Sequence, residues 1–174
     1  MSDLLFAFTE WLRNTPLVEL SLWISNTWLC MVIVTNFWAI PAIQTVHILS
    51  IAALFGSAVM LNLRVLGLLW GHLAIGQVAQ RFVPWMRWAI VMLVVSGMLL
   101  IVGEPVRELI NPIFWIKMLL VALAIVLSVF FNRRVSVIPA GGAASLQMRL
   151  GAVLLIILWC AVMAGGRWIA YAPV

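Results

Sequence analysis

Charged side chains are scarce in this sequence. They make up 9% of 174 residues, and only five are acidic. A soluble domain usually carries about 25% charged and 45–50% apolar residues, whereas this chain is 66% hydrophobic with a mean hydropathy of +1.21. So few charges cannot cover that much apolar surface in water. A soluble globular domain is therefore excluded, and the bilayer is the expected solvent.

Cysteine is also rare, and the sequence motifs of common enzymes are missing. Cys30 and Cys160 are far apart and lie in apolar surroundings, which excludes a disulfide framework and predicts two buried small side chains. The sequence has no P-loop, dinucleotide fingerprint or nucleophile–base motif. We therefore expect no enzyme activity from the chain on its own. The N-terminus lacks a basic region and a small-residue cleavage site, so no removable signal peptide is expected.

Four apolar stretches dominate the rest of the sequence. Each has about 20 residues, enough to cross ~30 Å of hydrocarbon as a helix. The fold class predicted is therefore all-α, a polytopic bundle of about four transmembrane helices within residues 39–174. The spans are expected near residues 41–66, 83–102, 112–131 and 150–171, with connectors over 67–80 and 132–148.

Residues 1–38 have a different pattern. Residues 1–13 carry apolar side chains on one side of a helix and charged ones mostly on the other, and Pro16 follows soon after. Residues 17–38 are apolar but interrupted by polar residues and rich in tryptophan, which prefers the headgroup layer. We interpret residues 1–38 as interfacial helices on the periplasmic side. For 17–38 an interfacial or re-entrant piece is favoured over a fifth span.

Basic residues set the expected orientation. Six arginines flank the first-to-second and third-to-fourth connections, against four basic residues on the other side. The excess follows the positive-inside rule and places both arginine-rich connections in the cytoplasm and both termini in the periplasm. The protein is thus expected to be a multi-pass protein of a bacterial inner membrane. Because the arginines lie at the ends of apolar segments, the net charge of +5 indicates headgroup contacts and no nucleic acid.

Each predicted span brings one titratable residue to the outer half of the membrane. These are His47, Glu104, Lys117 and Arg167. Ionisable residues inside a membrane are expensive and mark functional sites by default. An alternative is that Lys117 and Arg167 extend to the outer headgroups and that Glu104 pairs with Arg107.

Two further residues complete the candidate cofactor-binding set. Gln44 shares a helix face with His47, and Trp168 follows Arg167. The site predicted is an outer pocket for a quinone or for haem b, with Lys117 and Arg167 as donors to anionic groups.

His47 is the one candidate metal ligand, as a possible axial ligand of haem iron. It can instead carry a proton or donate a hydrogen bond. His72 follows 25 residues later, which is ~37 Å along a continuous helix. A haem held by both histidines of one chain is therefore disfavoured.

Several motifs resemble a bacterial family of small inner-membrane proteins known only as a domain of unknown function. They are PAIQTVH, NLRVLG, VPW, NPIFWIK and GRWIAY. The resemblance covers about residues 38–172 and implies that His47, Lys117 and Arg167 belong to the family signature. Asn62 stands where the family usually has aspartate. A looser similarity to copper-resistance D-type and b561-like membrane proteins implies only a related fold. The matching positions are Pro41, Gln44, His47, Leu63, Arg64, Leu66, Gly67, Pro84, Trp85, Asn111, Pro112, Phe114, Lys117, Gly166, Arg167, Ile169, Ala170 and Tyr171.

Three functions are compatible with this pattern. The favoured one is a membrane subunit supporting periplasmic electron transfer, which binds a quinone or haem and contacts a periplasmic or membrane redox partner through residues 1–38. The second is a non-catalytic assembly or anchor subunit of a larger complex, as a homo- or hetero-oligomer. The third, a carrier of a small anion or metal, is less favoured because four spans without an internal repeat are few for a transporter.

Overall fold

The computed structural model describes residues 2–139 and 142–168, and all regular structure in these residues is helical. This confirms the all-α prediction. The helices are α1 (Ser2–Arg13), α2 (Leu17–Ser25), α3 (Trp28–Thr35), α4 (Ala39–Leu66), α5 (Ile75–Gly103), α6 (Pro105–Leu109), α7 (Pro112–Ser136) and α8 (Leu146–Trp168).

Four of these helices, α4, α5, α7 and α8, are long and apolar enough to cross a membrane. At most 28% of the most apolar window in any of them is buried within the protein. The remaining apolar side chains face outward, where only lipid or another apolar protein surface can cover them. The chain therefore has the architecture of a multi-pass membrane protein.

The helices extend further than the apolar segments that predicted them. α5 begins at Ile75 and continues through Pro84, and α7 continues to Ser136. α8 begins at Leu146, so the predicted loop over 132–148 is shorter than expected. The reason is that hydropathy marks the hydrocarbon layer, whereas a helix with arginines can continue into the headgroups.

The end of α4 was predicted correctly at Leu66, and a glycine explains it. Gly67 has a φ of +82°, in the left-handed region that glycine adopts without strain. Its N–H donates to the carbonyl of Arg64 at 3.1 Å, and the Leu68 N–H donates to the carbonyl of Leu63 at 3.0 Å. These two bonds form a Schellman motif, which satisfies the last carbonyls of the helix.

The N-terminal segment forms three short helices. α2 and α3 are bent by 65° relative to each other, and Thr27 caps α3 by accepting the Cys30 N–H. With nine and eight residues, each is only about 12–14 Å long, less than half of the hydrocarbon layer. They can form a broken span or a re-entrant loop, and the interfacial location of residues 1–38 stays a prediction.

The chain divides into two compact units. The first unit comprises Met1–Ile48, Met92–Leu119 and Ala164–Val174. Its core packs Leu109 and Phe114 against side chains that include Ile24, which joins α2 to α6. The N-terminal helices are thus part of this unit's packing.

The second unit comprises Leu49–Val91 and Leu120–Met163. Within it, the indole N–H of buried Trp159 donates to the Ser128 hydroxyl at 3.2 Å. Cys160 is exposed while Cys30 is buried, so the prediction of two buried cysteines is wrong for Cys160. A side chain there is stable without protein contacts because lipid solvates it.

Candidate functional site

A proline and a capping asparagine shape the chain between α5 and α7 in the first unit. Pro105 begins the short helix α6, where its missing N–H costs nothing. Asn111 is fully buried, and its side-chain oxygen accepts the Ile113 N–H at 2.9 Å. Pro112 then starts α7. These residues position Glu104 and Glu108 before the turn and Lys117 after it.

His47 is half-buried on α4 and is held by a serine on α5. Its Nδ1 lies 2.8 Å from the Ser96 Oγ, and the same Oγ lies 2.6 Å from the Met92 carbonyl oxygen. A hydroxyl has one proton, and the carbonyl can only accept, so Ser96 donates to Met92 and accepts from His47. The neutral imidazole therefore carries its proton on Nδ1 and keeps the Nε2 lone pair for another partner.

Gly97 makes room for this ring. A Cβ atom added at Gly97 would lie 3.5 Å from the His47 Cε1, so a larger side chain would press on the imidazole. Neither Ser96 nor Gly97 was predicted from sequence as part of the site. The available signal was small residues within an otherwise bulky apolar span, which indicates close approach of another element.

A cavity of about 180 Å³ lies at the α6 end of this unit. Gln44 and Glu104, both predicted site residues, line it together with Arg107 and Glu108. Apolar side chains of α4 and α5 and the backbone of α8 complete the wall, through Ile40, Leu100 and Gly166. The structure thus combines carboxylate, amide and guanidinium groups with apolar surface in one small space.

Lys117, the single lysine of the sequence, lies against the backbone of α8. A Cβ added at Gly166 would be 3.6 Å from its Nζ. The ammonium group is close enough to Glu108 and to His47 to act on both electrostatically. His47 and Lys117 thus belong to the same unit, although neither residue lines the cavity, and their joint role in a site stays a prediction.

Glu104 forms the ion pair that the sequence offered as an alternative. Its carboxylate accepts from the Arg107 guanidinium at 2.7 Å. Both side chains are more than a third exposed, and exposed pairs one helical turn apart contribute little to stability. Both residues also line the cavity.

Glu108 is a further residue that the sequence analysis did not identify. Burial raises the pKa of its carboxyl group, while Lys117 and Arg107 oppose this rise. From the sequence alone, Glu108 is expected to lie in a loop next to Arg107. Its position in α6, four residues after Glu104, brings both carboxylates to one cavity.

We expect Glu108→Gln to flatten the dependence of the melting temperature on pH. The folded protein holds the Glu108 proton to a higher pH than the unfolded chain, so this group's stabilisation is complete below its ordinary pKa of 4.5. That stabilisation is lost as the pH rises through the folded value. Each 1 kcal/mol corresponds to about 2–4 °C. Melting in detergent from pH 4 upward measures the slope, and Glu19→Gln on α2 is the control. An unchanged slope in Glu108→Gln would contradict the assignment.

The two remaining cofactor-binding candidates lie at the end of α8. The backbone of Arg167 and Trp168 completes this helix, but their side chains, and all of Tyr171, lie outside the described part of the chain. Their roles stay predictions. Gly166, the residue before them, lines the cavity.

His72 belongs to the second unit, is exposed and lines a different cavity. Within the described residues, no cluster of three or more His, Cys, Asp or Glu side chains is arranged to hold a metal ion. His47 can offer its Nε2, the nitrogen directed away from Ser96, as a ligand atom.

A protein-family comparison matches most of the chain. Residues 22–172 match a family of proteins of unknown function, which confirms the resemblance to a domain of unknown function. No curated protein and no solved structure matches the chain. The detailed family signature and the likeness to copper-resistance D-type and b561-like proteins stay predictions.

Proposed function

We propose that this chain, which belongs to the family of unknown function DUF6644, is a membrane subunit that binds a quinone head group in its first unit. By binding the quinone, the subunit would support electron transfer by a partner protein. The observation that carries this proposal is the cavity of about 180 Å³ lined by Gln44, Glu104, Arg107 and Glu108. Its size and its polar groups each support a quinone.

The volume of the cavity favours a ligand with a single ring, such as a quinone, over the four-ring porphyrin of haem. A protein cavity of about 150 Å³ holds a benzene molecule, so about 180 Å³ accommodates a single substituted ring. Enclosed sites for larger ligands are about 300–1,000 Å³, and a porphyrin belongs in that class. One proximal histidine is enough to hold haem iron, so it is the small volume that disfavours haem, the other predicted cofactor. The quinone is therefore the better-supported candidate.

The polar groups suit both redox states of a quinone. The carbonyl oxygens of the oxidised ring need donors, which Gln44 and Arg107 supply at the wall. Lys117 lies next to the wall residue Gly166 and adds positive charge near the ring. Reduction to the quinol adds two electrons and two protons. Glu108, whose pKa is raised by burial, is suited to exchanging one of these protons.

His47 is suited to exchange the second proton of the quinol. With Nδ1 donating to Ser96, the Nε2 lone pair is the basic position of the ring. Lys117 acts electrostatically on both His47 and Glu108, so a change of charge at one of them is felt through the network. In this proposal the chain moves protons, and electrons come from the redox partner.

The charges of the cavity argue against the carrier alternative. Glu104 and Glu108 both line it, and Glu104 already neutralises Arg107. A small anion entering this space would meet two carboxyl groups and one paired cation. The observed residues suit a neutral polar ring better than a free anion.

The exposed aromatic side chains of residues 1–38 support a role in docking. Trp23 is 67%, Trp28 73% and Trp38 72% exposed. Aromatic residues of this kind are enriched at headgroup layers and in the centres of protein interfaces. In the proposal α1–α3 lie at the periplasmic surface of the inner membrane and contact the redox partner. The same surface would serve the assembly-subunit alternative.

The test is the cofactor content of the purified protein and of two histidine variants. Wild type, His47→Ala and His72→Ala are purified in detergent, and absorption spectra and lipid extracts are measured. We expect ubiquinone or menaquinone in the wild-type lipid extract and no Soret band in the wild-type absorption spectrum. The quinone content of His47→Ala should be at least tenfold lower than that of His72→Ala.

Each alternative outcome contradicts the proposal in a specific way. A Soret band that disappears in His47→Ala would replace the quinone with haem. A colourless protein that neither retains quinone nor binds added ubiquinone-1, but still assembles with a partner after His47→Ala, would favour the assembly subunit.

A further inference from the structure

The second unit contains a larger cavity that the proposed quinone site does not use. Its volume is about 300 Å³, at the lower end of the range for ligand sites. Arg64, His72 and Arg149 line it, together with small residues and Ile75 at the start of α5. No acidic side chain is part of its wall.

The charge distribution along the sequence makes this cavity unusual. Residues 49–91 and 120–163, which form the second unit, contain six arginines and no aspartate or glutamate. All five acidic residues of the chain lie in the other segments. Both ion pairs in the described residues, those of Arg13 and Arg107, belong to the first unit. The second unit therefore supplies no carboxylate to neutralise its arginines.

Arg64 is held rigidly at the cavity by a backbone group. Its Nε and Nη2 both donate to the Leu73 carbonyl, at 2.8 and 2.6 Å. A guanidinium has five N–H donors in a planar fork, so Nη1 and its protons are not used by this contact. A half-buried arginine bound to a neutral carbonyl keeps its full positive charge.

The connector that supplies the Leu73 carbonyl is itself fixed in shape. Gly67 has a φ of +82° and Trp70 a φ of +47°, a conformation that a bulky residue adopts only when its surroundings enforce it. The Trp70 ring stacks on Phe82 with centroids 5.8 Å apart. Arg64 is thus preorganised before any ligand binds, and preorganisation increases affinity.

We propose that this cavity binds a phosphate group through Arg64 and Arg149, with His72 and the start of α5 at its rim. The reason for phosphate is the donor set. Arginine forks match phosphate oxygens in pairs, and the N-terminal end of a long helix adds a favourable dipole. Basic pockets between transmembrane helices bind the head groups of anionic lipids, and a soluble phosphate has the same chemistry. This inference does not depend on the quinone site.

The experiment compares two probes on the intact protein. Native mass spectrometry in detergent measures retention of phosphatidylglycerol against phosphatidylcholine, and calorimetry measures binding of inorganic phosphate. The variants are Arg149→Gln and Arg64→Gln, and the control is Arg134→Gln, an exposed arginine of the same unit outside the cavity wall. Arg149→Gln leaves the Arg64–Leu73 contact intact, so it tests the site even if Arg64→Gln fails to fold.

We expect wild type and Arg134→Gln to bind equally, and each cavity variant to bind about fivefold more weakly, as expected for about 1 kcal/mol per basic residue. Preference for phosphatidylglycerol without calorimetric binding of inorganic phosphate supports the site with a lipid as its source. Binding of inorganic phosphate that is weakened by Arg149→Gln supports the site with a soluble source. Absence of binding to both probes, or equal weakening by Arg134→Gln, overturns the proposal.

Discussion

Replacing Gly166 with leucine is expected to abolish quinone binding. Gly166 lines the cavity of about 180 Å³, and an added Cβ there lies 3.6 Å from the Lys117 ammonium group, so a leucine side chain crowds both the cavity wall and Lys117. One excess methylene in a fitted pocket costs about 10- to 200-fold in discrimination, so we expect a loss on the order of a hundredfold or more in affinity for ubiquinone-1. Quenching of tryptophan fluorescence by ubiquinone-1 in detergent measures it.

The chain provides two matched controls for this variant. Gly56→Leu makes the same substitution at a position where an added Cβ meets no atom within 4 Å, and it gains the same helix propensity. Gly166→Ala adds a Cβ at ordinary contact distance, 3.6 Å from the Lys117 ammonium. Both should bind ubiquinone-1 within about threefold of wild type. Normal binding by Gly166→Leu would exclude this cavity as the site.

Replacing Lys117 with methionine is expected to change two measurements together. The first is affinity for ubiquinone-1, which should fall about tenfold because a charged donor near the ring is lost. The second is the pKa of Glu108, which should rise further because Lys117 lowers it in the wild-type protein. Infrared difference spectra of the protonated carboxyl group, titrated against pH, follow the second change.

Lys117→Arg separates charge from shape. It retains the positive charge near Glu108, so the Glu108 pKa should stay near its wild-type value. The planar guanidinium differs from an ammonium in geometry, so quinone affinity should fall by less than in the methionine variant. A Glu108 titration that is identical in wild type and Lys117→Met would mean that the two side chains are not electrostatically coupled, and it would remove Lys117 from the proposed proton network.

The candidate site contains some residues that were predicted from the sequence and others that were not. Gln44, His47, Glu104 and Lys117 stood out because polar residues are rare in apolar spans. Ser96 and Gly97 did not, because small residues in a span usually indicate packing alone. Glu108 did not, because its neighbourhood in sequence suggests an exposed loop, and only the fold of α6 reveals that it is half-buried.

The sequence by itself determined the solvent and the number of apolar helices. Hydropathy is a sum over local residues, and about 20 apolar residues suffice for a span regardless of their neighbours. The glycine at position 67 likewise determined the end of α4, since the left-handed conformation is a local property. The start of α5 at Ile75 could not be predicted from local hydropathy, because helical residues outside the hydrocarbon layer need not be apolar.

Only the tertiary structure decided which polar groups meet. The tautomer of His47 depends on a serine 49 residues away. The pKa of the Glu108 carboxyl group depends on its burial and on the charge of Lys117. Both depend on distances between separate helices, and electrostatic and hydrogen-bond energies vary steeply with such distances. Periodicity assigns a residue to a face of its own helix, but contact between helices decides its chemistry.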